Sequence, residues 1–130
     1  MKRTKKPVKD RRLRILFSSN APYSSSGYGA QMGLLLPLLK AEGWTQAICA
    51  FYGLEGGIID WKGIPVYPKM GDAWGSDAVV NHAKDFKADI TLTCQDLWPL
   101  DINAINLFKN FLPWVPVDHD PIPPAVFERL

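Results

Sequence analysis

A loop of serines and glycines at residues 21–29 joins an apolar segment to a helical pattern. Gly27 and Gly29 flank Tyr28, and glycine lets the backbone approach a ligand closely. The helix predicted to follow would direct its unpaired N–H groups and the positive end of its dipole toward the same place. These features predict a cradle for an anion such as a phosphate group. The dinucleotide-binding fingerprint is absent, because Met32 stands where its third glycine belongs.

A histidine between two acids follows the last predicted strand. His119 stands between Asp118 and Asp120, ahead of a proline-rich turn. A neighbouring carboxylate can orient an imidazole ring and select its tautomer, as a histidine that acts on a substrate requires. The alternative is an exposed turn histidine, and the second histidine, His82, is expected on the surface of a helix. We predict no metal site, because the two carboxylates would need further oxygen ligands.

Polar side chains follow other predicted strands at their carboxyl ends, where open α/β sheets bind ligands. Because these ends converge on one edge, we predict a cleft lined by Ser19, Asn20, Ser26, Gln95, Asp96, Trp98, Asp118 and Asp120. Tyr52 ends the second strand and is expected at the rim of this cleft. Flat rings suit the faces of sugars as well as ordinary packing, and the candidates are Tyr23, Tyr28, Trp74 and Trp98.

The elements that would position these groups alternate along the chain. The patterns predict strands and helices that come in turn, with strands at 13–17, 45–51, 64–67, 88–94 and 114–117 and helices at 30–42, 76–86, 101–110 and 125–130. This alternation predicts an α/β fold with a Rossmann-like parallel sheet of about five or more strands and helices on both faces. Pro37 predicts a kinked helix, Pro65 an edge strand, and Lys62-Gly63 the turn of a hairpin or of an extended excursion. Ser76 and Asp101 are predicted to be the N-caps of their helices.

The composition indicates a globular domain that carries a basic tail. The 130 residues are 47% hydrophobic, which is enough for a core. Residues 1–14 hold eight basic side chains and one acid, so seven bases and twelve acids remain elsewhere, a charge near −5. We therefore predict no nucleic-acid binding by the fold and a disordered tail at 1–12, with contact to an anionic surface as the alternative. Cys49 and Cys94 lie in predicted buried strands. We predict that both are free thiols, as is typical of proteins in the reducing cytoplasm.

Two segments carry a family resemblance. RILFSSNAPYSSSGYGAQMGLLLPLLKAEGW resembles the opening of the N-terminal half of GT-B glycosyltransferases of the family-4 type, with Gly43-Trp44 where many members have glycine and histidine. WVPVDHDPIPP is similar to the segment in which those enzymes carry a histidine followed by an acid or an amide. The resemblance covers about residues 13–130.

The resemblance implies the acceptor-binding domain of a retaining glycosyltransferase. The enzyme would transfer a sugar from a nucleotide-sugar to a sugar, lipid or other hydroxyl acceptor, with no essential metal and no further cofactor. By the match, His119 would be the catalytic residue beside the transferred sugar, and Gly27, Tyr28 and Gly29 would face the donor diphosphate. A C-terminal nucleotide-sugar-binding domain would complete the cleft, so the 130 residues alone would be inactive. Their exposed cleft face offers a surface for self-association, and the enzyme would be cytoplasmic, free or peripheral to the membrane.

Two other functions fit the same residues. One is a stand-alone small α/β module that binds a nucleotide or a phosphosugar, and the other is half of a GT-B-like nucleotide-sugar epimerase. The final helical segment begins after Pro124 and reaches only Leu130, which is less than two turns. We expect from this that the chain is one half of a longer protein.

Overall fold

The computed structural model describes residues 13–108, 110–116 and 120–130. The predicted tail at residues 1–12 and two predicted site residues, Asp118 and His119, lie outside them. Among the described residues, no helix is both long enough and apolar enough to cross a lipid bilayer.

The described residues form an α/β domain around a single six-stranded sheet. In chain order the elements are β1 Arg14–Asn20, α1 Gly27–Ala41, β2 Thr45–Tyr52, β3 Ile59–Trp61, β4 Ile64–Pro68, α2 Ser76–Phe86, β5 Ile90–Cys94, α3 Ile102–Ile105, β6 Phe111–Trp114 and α4 Pro124–Phe127. The strand order is β3-β4-β2-β1-β5-β6, and each neighbouring pair is parallel except β3 with β4. The predicted α/β class and the predicted sheet of five or more strands are confirmed.

Successive residues of the central strands pack into two different apolar clusters. Phe17 of β1 packs with Met32 and Leu36 of α1, together with Ile48, Ala50, Ile64 and Val66. The preceding residue, Leu16, packs with Ala78 and Val79 of α2, together with Ala47, Cys49, Tyr67 and Phe86. Each fully buried large apolar side chain contributes about 1.5–3 kcal/mol, which explains why β1 and β2 read as continuous apolar runs. The two cysteines are free and buried, as predicted.

The predicted hairpin forms, and its first strand, β3, is the edge of the sheet in place of β4, the strand that contains Pro65. Lys62 and Gly63 have positive φ angles of 51° and 80°, as a tight two-residue turn requires. Asp60 supports the turn, because its Oδ2 accepts from the N–H of Gly63 at 3.0 Å. The prediction that Pro65 lies at an edge is wrong, since β3 pairs outside β4 and places Pro65 opposite Asp60.

The first helix begins earlier than predicted, and the second helix has a different N-cap residue. α1 begins at Gly27, not at Ala30, because Ser26 caps it, and it continues through Pro37. α2 begins at Ser76 itself, for which Gly75 is the cap residue. Asp72 supports the first turn, because its Oδ2 accepts from the N–H of Ser76 at 2.8 Å.

The third helix and the last strand also differ from their predictions. Asp101 is the N-cap, as predicted, but α3 spans only Ile102–Ile105. Asn110 takes a positive φ of 52°, and its carbonyl accepts from the N–H of Thr91 at 3.3 Å. This bond begins the pairing of β5 with β6, so the last strand starts at Phe111, three residues earlier than predicted.

Candidate functional site

The candidate site lies where the direction of strand addition reverses. β2 and β4 lie on one side of β1, while β5 and β6 lie on the other. Ligands of open α/β sheets bind at such a point, beyond the carboxyl ends of the strands. A cleft of about 560 Å³ is found there. It brings together six predicted residues, which are Asn20, Ser26, Tyr28, Tyr52, Trp74 and Asp96, and four that were not predicted, which are Ser25, Phe51, Lys69 and Ala73.

A chain of hydrogen bonds runs through the loop before α1. Ser24 Oγ donates to the carbonyl oxygen of Ala21 at 2.7 Å, so the 3.0 Å contact between Ser24 and Ser26 is donated by the Ser26 hydroxyl. The Ser26 oxygen accepts from the N–H of Gly29 at 3.0 Å and from Asn20 Nδ2 at 2.8 Å. Ser26 therefore both caps α1 and holds the side chain of Asn20.

This chain leaves the buried amide oxygen of Asn20 without a partner among the described residues. Asn20 is only 8% exposed, and its Oδ1 has no hydrogen-bond partner among the described residues. Because the single hydrogen of Ser26 is already committed, the Asn20 amide must turn its NH₂ group toward Ser26. A buried acceptor left without a donor costs about 1–3 kcal/mol. Asn20 lines the cleft, but this unsatisfied oxygen is itself enclosed by the protein.

The two loop glycines have different roles. A Cβ on Gly29 would lie 2.7 Å from the carbonyl oxygen of Ser24 and 2.8 Å from that of Ala21, so the fold itself requires glycine there. The N–H of Gly29 is also taken, because it donates to Ser26. Gly27 is exposed, and no atom of the described chain lies within 4 Å of its Cβ position. Packing therefore explains why residue 29 is glycine, but it does not explain why Gly27 is.

Tyr28 links the first turn of α1 to the end of β5. Its phenol donates to Asp96 Oδ1 at 3.3 Å, across the cleft that both residues line. The carboxylate of Asp96 can accept further hydrogen bonds, since ionised carboxyl groups have about four acceptor positions. The prediction that the end of the fourth predicted strand reaches the glycine loop agrees with this contact.

Aromatic rings form one wall of the cleft. Trp74 is 38% exposed, and its ring centroid lies 5.8 Å from that of Phe51 and 5.9 Å from that of Trp98. Trp98 extends this row beyond the cleft lining. Tyr52 is also exposed, at the end of β2. Tyr23 stands apart, because its phenol donates to the carbonyl of Gly53 at 3.0 Å.

Lys69 supplies a cation that the sequence pattern did not indicate. It follows directly on β4, and its Nζ lies 3.3 Å from Glu55 Oε1. Glu55 is strongly exposed, so this ion pair is a weak one that a ligand can replace. A polar residue just after a strand end is the signal that could have found Lys69, because β4 neighbours β2 in the sheet.

Two predicted cleft residues lie inside the protein instead. Ser19 is fully buried, and its hydroxyl donates to the carbonyl of Cys94 at 2.7 Å. Gln95 is also fully buried, and its Oε1 accepts from Ser18 Oγ at 3.0 Å. These bonds join the ends of β1 and β5 beneath the cleft. Asp120 is exposed and does not line the cleft.

His82 lies half-exposed on α2, where it was predicted, and makes a structural contact. Its Nε2 lies 2.8 Å from the carbonyl oxygen of Pro68, and its ring centroid is 4.6 Å from that of Tyr67. The Tyr67 phenol donates to Asp85 Oδ2 at 2.8 Å. Burial, followed by this bond to Asp85, raises the pKa of Tyr67 to about 12. The contacts join α2 to β4 and do not reach the cleft.

A second cavity, of about 580 Å³, lies between α2, α3 and Arg129. Its three carboxylates already accept hydrogen bonds from the backbone. Asp72 accepts from Ser76 at 2.8 Å, Asp77 from Gly71 at 2.9 Å, and Asp101 from Asn103 at 3.0 Å. Because these acids serve as turn and helix caps, we take the smaller cleft as the candidate site.

The ligand has to be inferred from the chemistry of the cleft itself. Comparison of the chain with protein-family models, with curated proteins and with solved structures found no match. Within the described ranges, no three side chains of His, Cys, Asp or Glu are grouped so that they could hold a metal ion. The cleft offers a buried amide oxygen, a carboxylate, an ammonium group, a helix N-terminus and aromatic rings.

Proposed function

We propose that the chain is the acceptor-side half of a retaining GT-B glycosyltransferase. The enzyme would transfer a sugar from a nucleotide-sugar to a hydroxyl group of an acceptor. The observation that carries the proposal is an aromatic-walled cleft lined by Asn20, whose buried Oδ1 has no described partner. A hydroxyl group, like an N–H group, can donate to such an oxygen, and a sugar presents several hydroxyl groups beside an apolar ring face.

The other polar groups of the cleft suit the same class of ligand. Asp96 has acceptor capacity beyond the bond from Tyr28, and Lys69 can donate to hydroxyl or phosphate oxygens. The exposed rings of Trp74 and Tyr52 offer apolar surface with a polar edge, which aromatic side chains supply at binding sites. Together these groups can bind a sugar through several directional bonds and one stacked face.

The first turn of α1 is the proposed contact for the donor diphosphate. Gly27 is the open position of the loop, and the N-terminus of a 15-residue helix attracts negative charge. Negative charge grows on the nucleoside diphosphate as it leaves, and dipoles already directed at that point lower the barrier. In this proposal Gly27, not Gly29, approaches the phosphates, and His119 acts beside the transferred sugar, as the family resemblance implies.

The remaining parts of the proposal concern the whole protein. We infer a doubly wound sheet with helices on both faces, which is supported by the packing of Phe17 with α1 and of Leu16 with α2. A second domain would hold the nucleotide-sugar across the cleft, and the enzyme would be cytoplasmic. Its proposed chemistry retains the anomeric configuration and requires no metal. Donor and acceptor would be positioned by the two domains together, which supplies a large part of such catalysis.

A two-part experiment on the 130-residue chain tests the proposal. Incubation with a panel of nucleotide-sugars and acceptors, followed by mass spectrometry, should give no transfer, because the donor-binding half is absent. Thermal unfolding should show stabilisation by a methyl glycoside. Nucleoside diphosphates should give none, because in this proposal the second domain supplies most of their contacts and the first turn of α1 alone does not hold them.

The same measurements distinguish the alternatives. A stand-alone nucleotide- or phosphosugar-binding module would be stabilised by nucleotides or inorganic phosphate, for which the α1 N-terminus and Lys69 provide suitable groups. Turnover of a nucleotide-sugar by the chain alone would contradict its assignment as half of an enzyme. The product of the complete enzyme distinguishes an epimerase from a transferase. An epimerase would release a free epimerised sugar.

A further inference from the structure

The candidate cleft carries opposite charges toward its two ends. The strands whose carboxyl ends form it lie in the order β4-β2-β1-β5. Lys69 directly follows β4, Asp96 lies just beyond the end of β5, and both residues line the cleft. Neighbouring strands lie about 4.8 Å apart, so the two strand ends are separated by about 14 Å. A ligand that fills the cleft therefore meets a cation toward one end and a carboxylate toward the other.

Lys69 is the one cationic side chain among the described residues that line the cleft. The rest of the fold supplies no general attraction for anions, because residues 15–130 carry seven bases and twelve acids. An anionic group is therefore drawn to this cleft by Lys69 itself. The contact is local, so it can select one ligand from another by the position of its charge.

The protein already places a carboxylate against Lys69. Glu55 Oε1 lies 3.3 Å from Lys69 Nζ, and the Glu55 side chain is 82% exposed. Glu55 does not line the cleft. An ion pair that is open to water contributes little to stability, so an anionic group of a ligand can replace this carboxylate at small cost. Glu55 thus shows which kind of group Lys69 accepts.

Aromatic rings lie between the two charges. Phe51 and Tyr52 end β2, the strand next to β4, and the ring centroid of Trp74 lies 5.8 Å from that of Phe51. Such rings offer apolar surface to one face of a ligand. A ring stacked on this wall has Lys69 toward one side and Asp96 toward the other.

We propose that the acceptor is a sugar that bears an oxyanion, either a carboxylate or a phosphate group, and that this group replaces the Glu55 carboxylate at Lys69. The inference rests on the proposed acceptor-side function and names the class of acceptor. The oxyanion accepts a charge-assisted hydrogen bond from Lys69 Nζ, which is stronger than a bond between neutral groups. Hydroxyl groups of the same sugar donate to the carboxylate of Asp96.

Other classes of ligand use only part of this arrangement. A neutral sugar leaves Lys69 paired with Glu55. An inorganic anion reaches Lys69 but makes no use of the aromatic wall or of Asp96. A cationic ligand can pair with Asp96, but Lys69 repels it. An acidic sugar uses both charged ends and the wall between them.

Isothermal titration calorimetry of the complete 130-residue chain with matched ligands tests this inference. The ligands are the methyl glycosides of glucose, galactose and mannose, the corresponding uronic acids and the corresponding 6-phosphates. Acetate and inorganic phosphate supply the anion without a sugar. For at least one hexose, an acidic form should bind about tenfold more tightly than the neutral form. This preference should decrease with added salt, and the acidic form that binds more tightly identifies the anionic group.

Three variants assign the preference to its residues. Lys69→Gln should abolish most of the preference, because glutamine keeps a hydrogen-bond donor but loses the charge. Glu55→Gln should raise the affinity for the acidic sugar by about two- to fivefold, since it removes the competing carboxylate. Lys84→Gln is the matched control, because Lys84 is an exposed cation of α2 that does not line the cleft. This control should leave the preference unchanged.

The outcomes separate this inference from the proposed function. Equal binding of neutral and acidic sugars would overturn the inference and leave the acceptor-side proposal standing, as would a preference that Lys69→Gln does not reduce. Binding of acetate or inorganic phosphate as tight as that of the acidic sugars would reduce Lys69 to a contact for free anions and would also overturn the inference. If no sugar of the panel binds, neutral or acidic, the proposed function itself is contradicted and the inference fails with it.

Discussion

The side-chain amide of Asn20 donates to Ser26 Oγ at 2.8 Å, and this bond decides which end of the amide faces the cleft. The Ser26 hydrogen is directed to Ser24, whose own hydrogen goes to the carbonyl of Ala21. The NH₂ group of Asn20 is therefore used by the protein, and its oxygen has no partner among the described residues. The residue that caps α1 thus also sets the chemistry of the candidate site.

Ser26→Ala should destabilise the domain. The change removes the cap bond to Gly29 and the partner of Asn20, and loss of an N-cap costs about 0.5–2 kcal/mol. Urea unfolding followed by circular dichroism measures the effect. Ser25→Ala is the matched control, because Ser25 is exposed in the same loop, and changes at such positions usually stay within about 0.5 kcal/mol. Equal stabilities of the two variants would contradict the proposed role of Ser26.

Gly29→Ala and Gly27→Ala should have opposite effects. The Cβ on residue 29 meets two carbonyl oxygens at 2.7 and 2.8 Å, and overpacking of this kind costs about 1–3 kcal/mol. The Cβ on residue 27 meets nothing within 4 Å among the described residues, and removal of a helical glycine that fits stabilises by about 0.4–1 kcal/mol. Thermal unfolding of both variants checks the difference. A similar loss of stability at both positions would refute the separation of their roles.

The stability of the domain should fall at high pH through Tyr67. Its pKa rises from 10.0 to about 12 on folding, chiefly through burial. Between these values the unfolded phenol loses its proton while the folded one keeps it, so rising pH favours unfolding. Two pKa units correspond to about 2.7 kcal/mol at most. In urea unfolding from pH 9 to pH 12, the free energy of unfolding should fall more steeply for the unaltered chain than for Tyr67→Phe. Parallel curves would contradict the prediction.

Both thiols should be unreactive in the folded protein. Burial raises the pKa of Cys49 to about 12, with the charge of Asp77 as a smaller cause, and burial also raises the pKa of Cys94. The thiolate is the reactive form of cysteine, so a colorimetric thiol reagent should label neither residue until the chain unfolds. In denaturant both thiols should react. Rapid labelling of either thiol in the native protein would contradict the prediction.

The location of the cleft could be predicted because parallel strands end on one edge of their sheet. Asn20, Tyr28 and Asp96 meet there for that reason. The sequence could not show that Ser19 and Gln95 are buried and do not line the cleft. Whether a polar residue at a strand end is buried depends on neighbours from distant parts of the chain. The bonds of Ser19 to Cys94 and of Gln95 to Ser18 each join residues more than 70 positions apart.

The largest errors of prediction lie between α3 and β6. Apolar residues at helical spacing extend to Phe108, but the helix ends after Ile105 and Leu107 is 70% exposed. Tertiary pairing decides the outcome, since the positive φ of Asn110 turns the chain into register with Thr91. Such a turn by a non-glycine residue has no clear periodic signal in the sequence.

The most direct test of the proposed function is a nuclear magnetic resonance titration of the isotopically labelled 130-residue chain. The signals to follow are the side-chain NH₂ of Asn20, the backbone N–H of Gly27 and the indole N–H of Trp74. We predict saturable shifts of the Asn20 and Trp74 signals with a methyl glycoside and loss of the Trp74 shift in Asn20→Ala. We predict no shifts with a nucleoside diphosphate, because in this proposal a second domain holds the nucleotide. Saturable shifts at Gly27 with the nucleotide alone, and none with any glycoside, would contradict the assignment of this chain as an acceptor-binding domain.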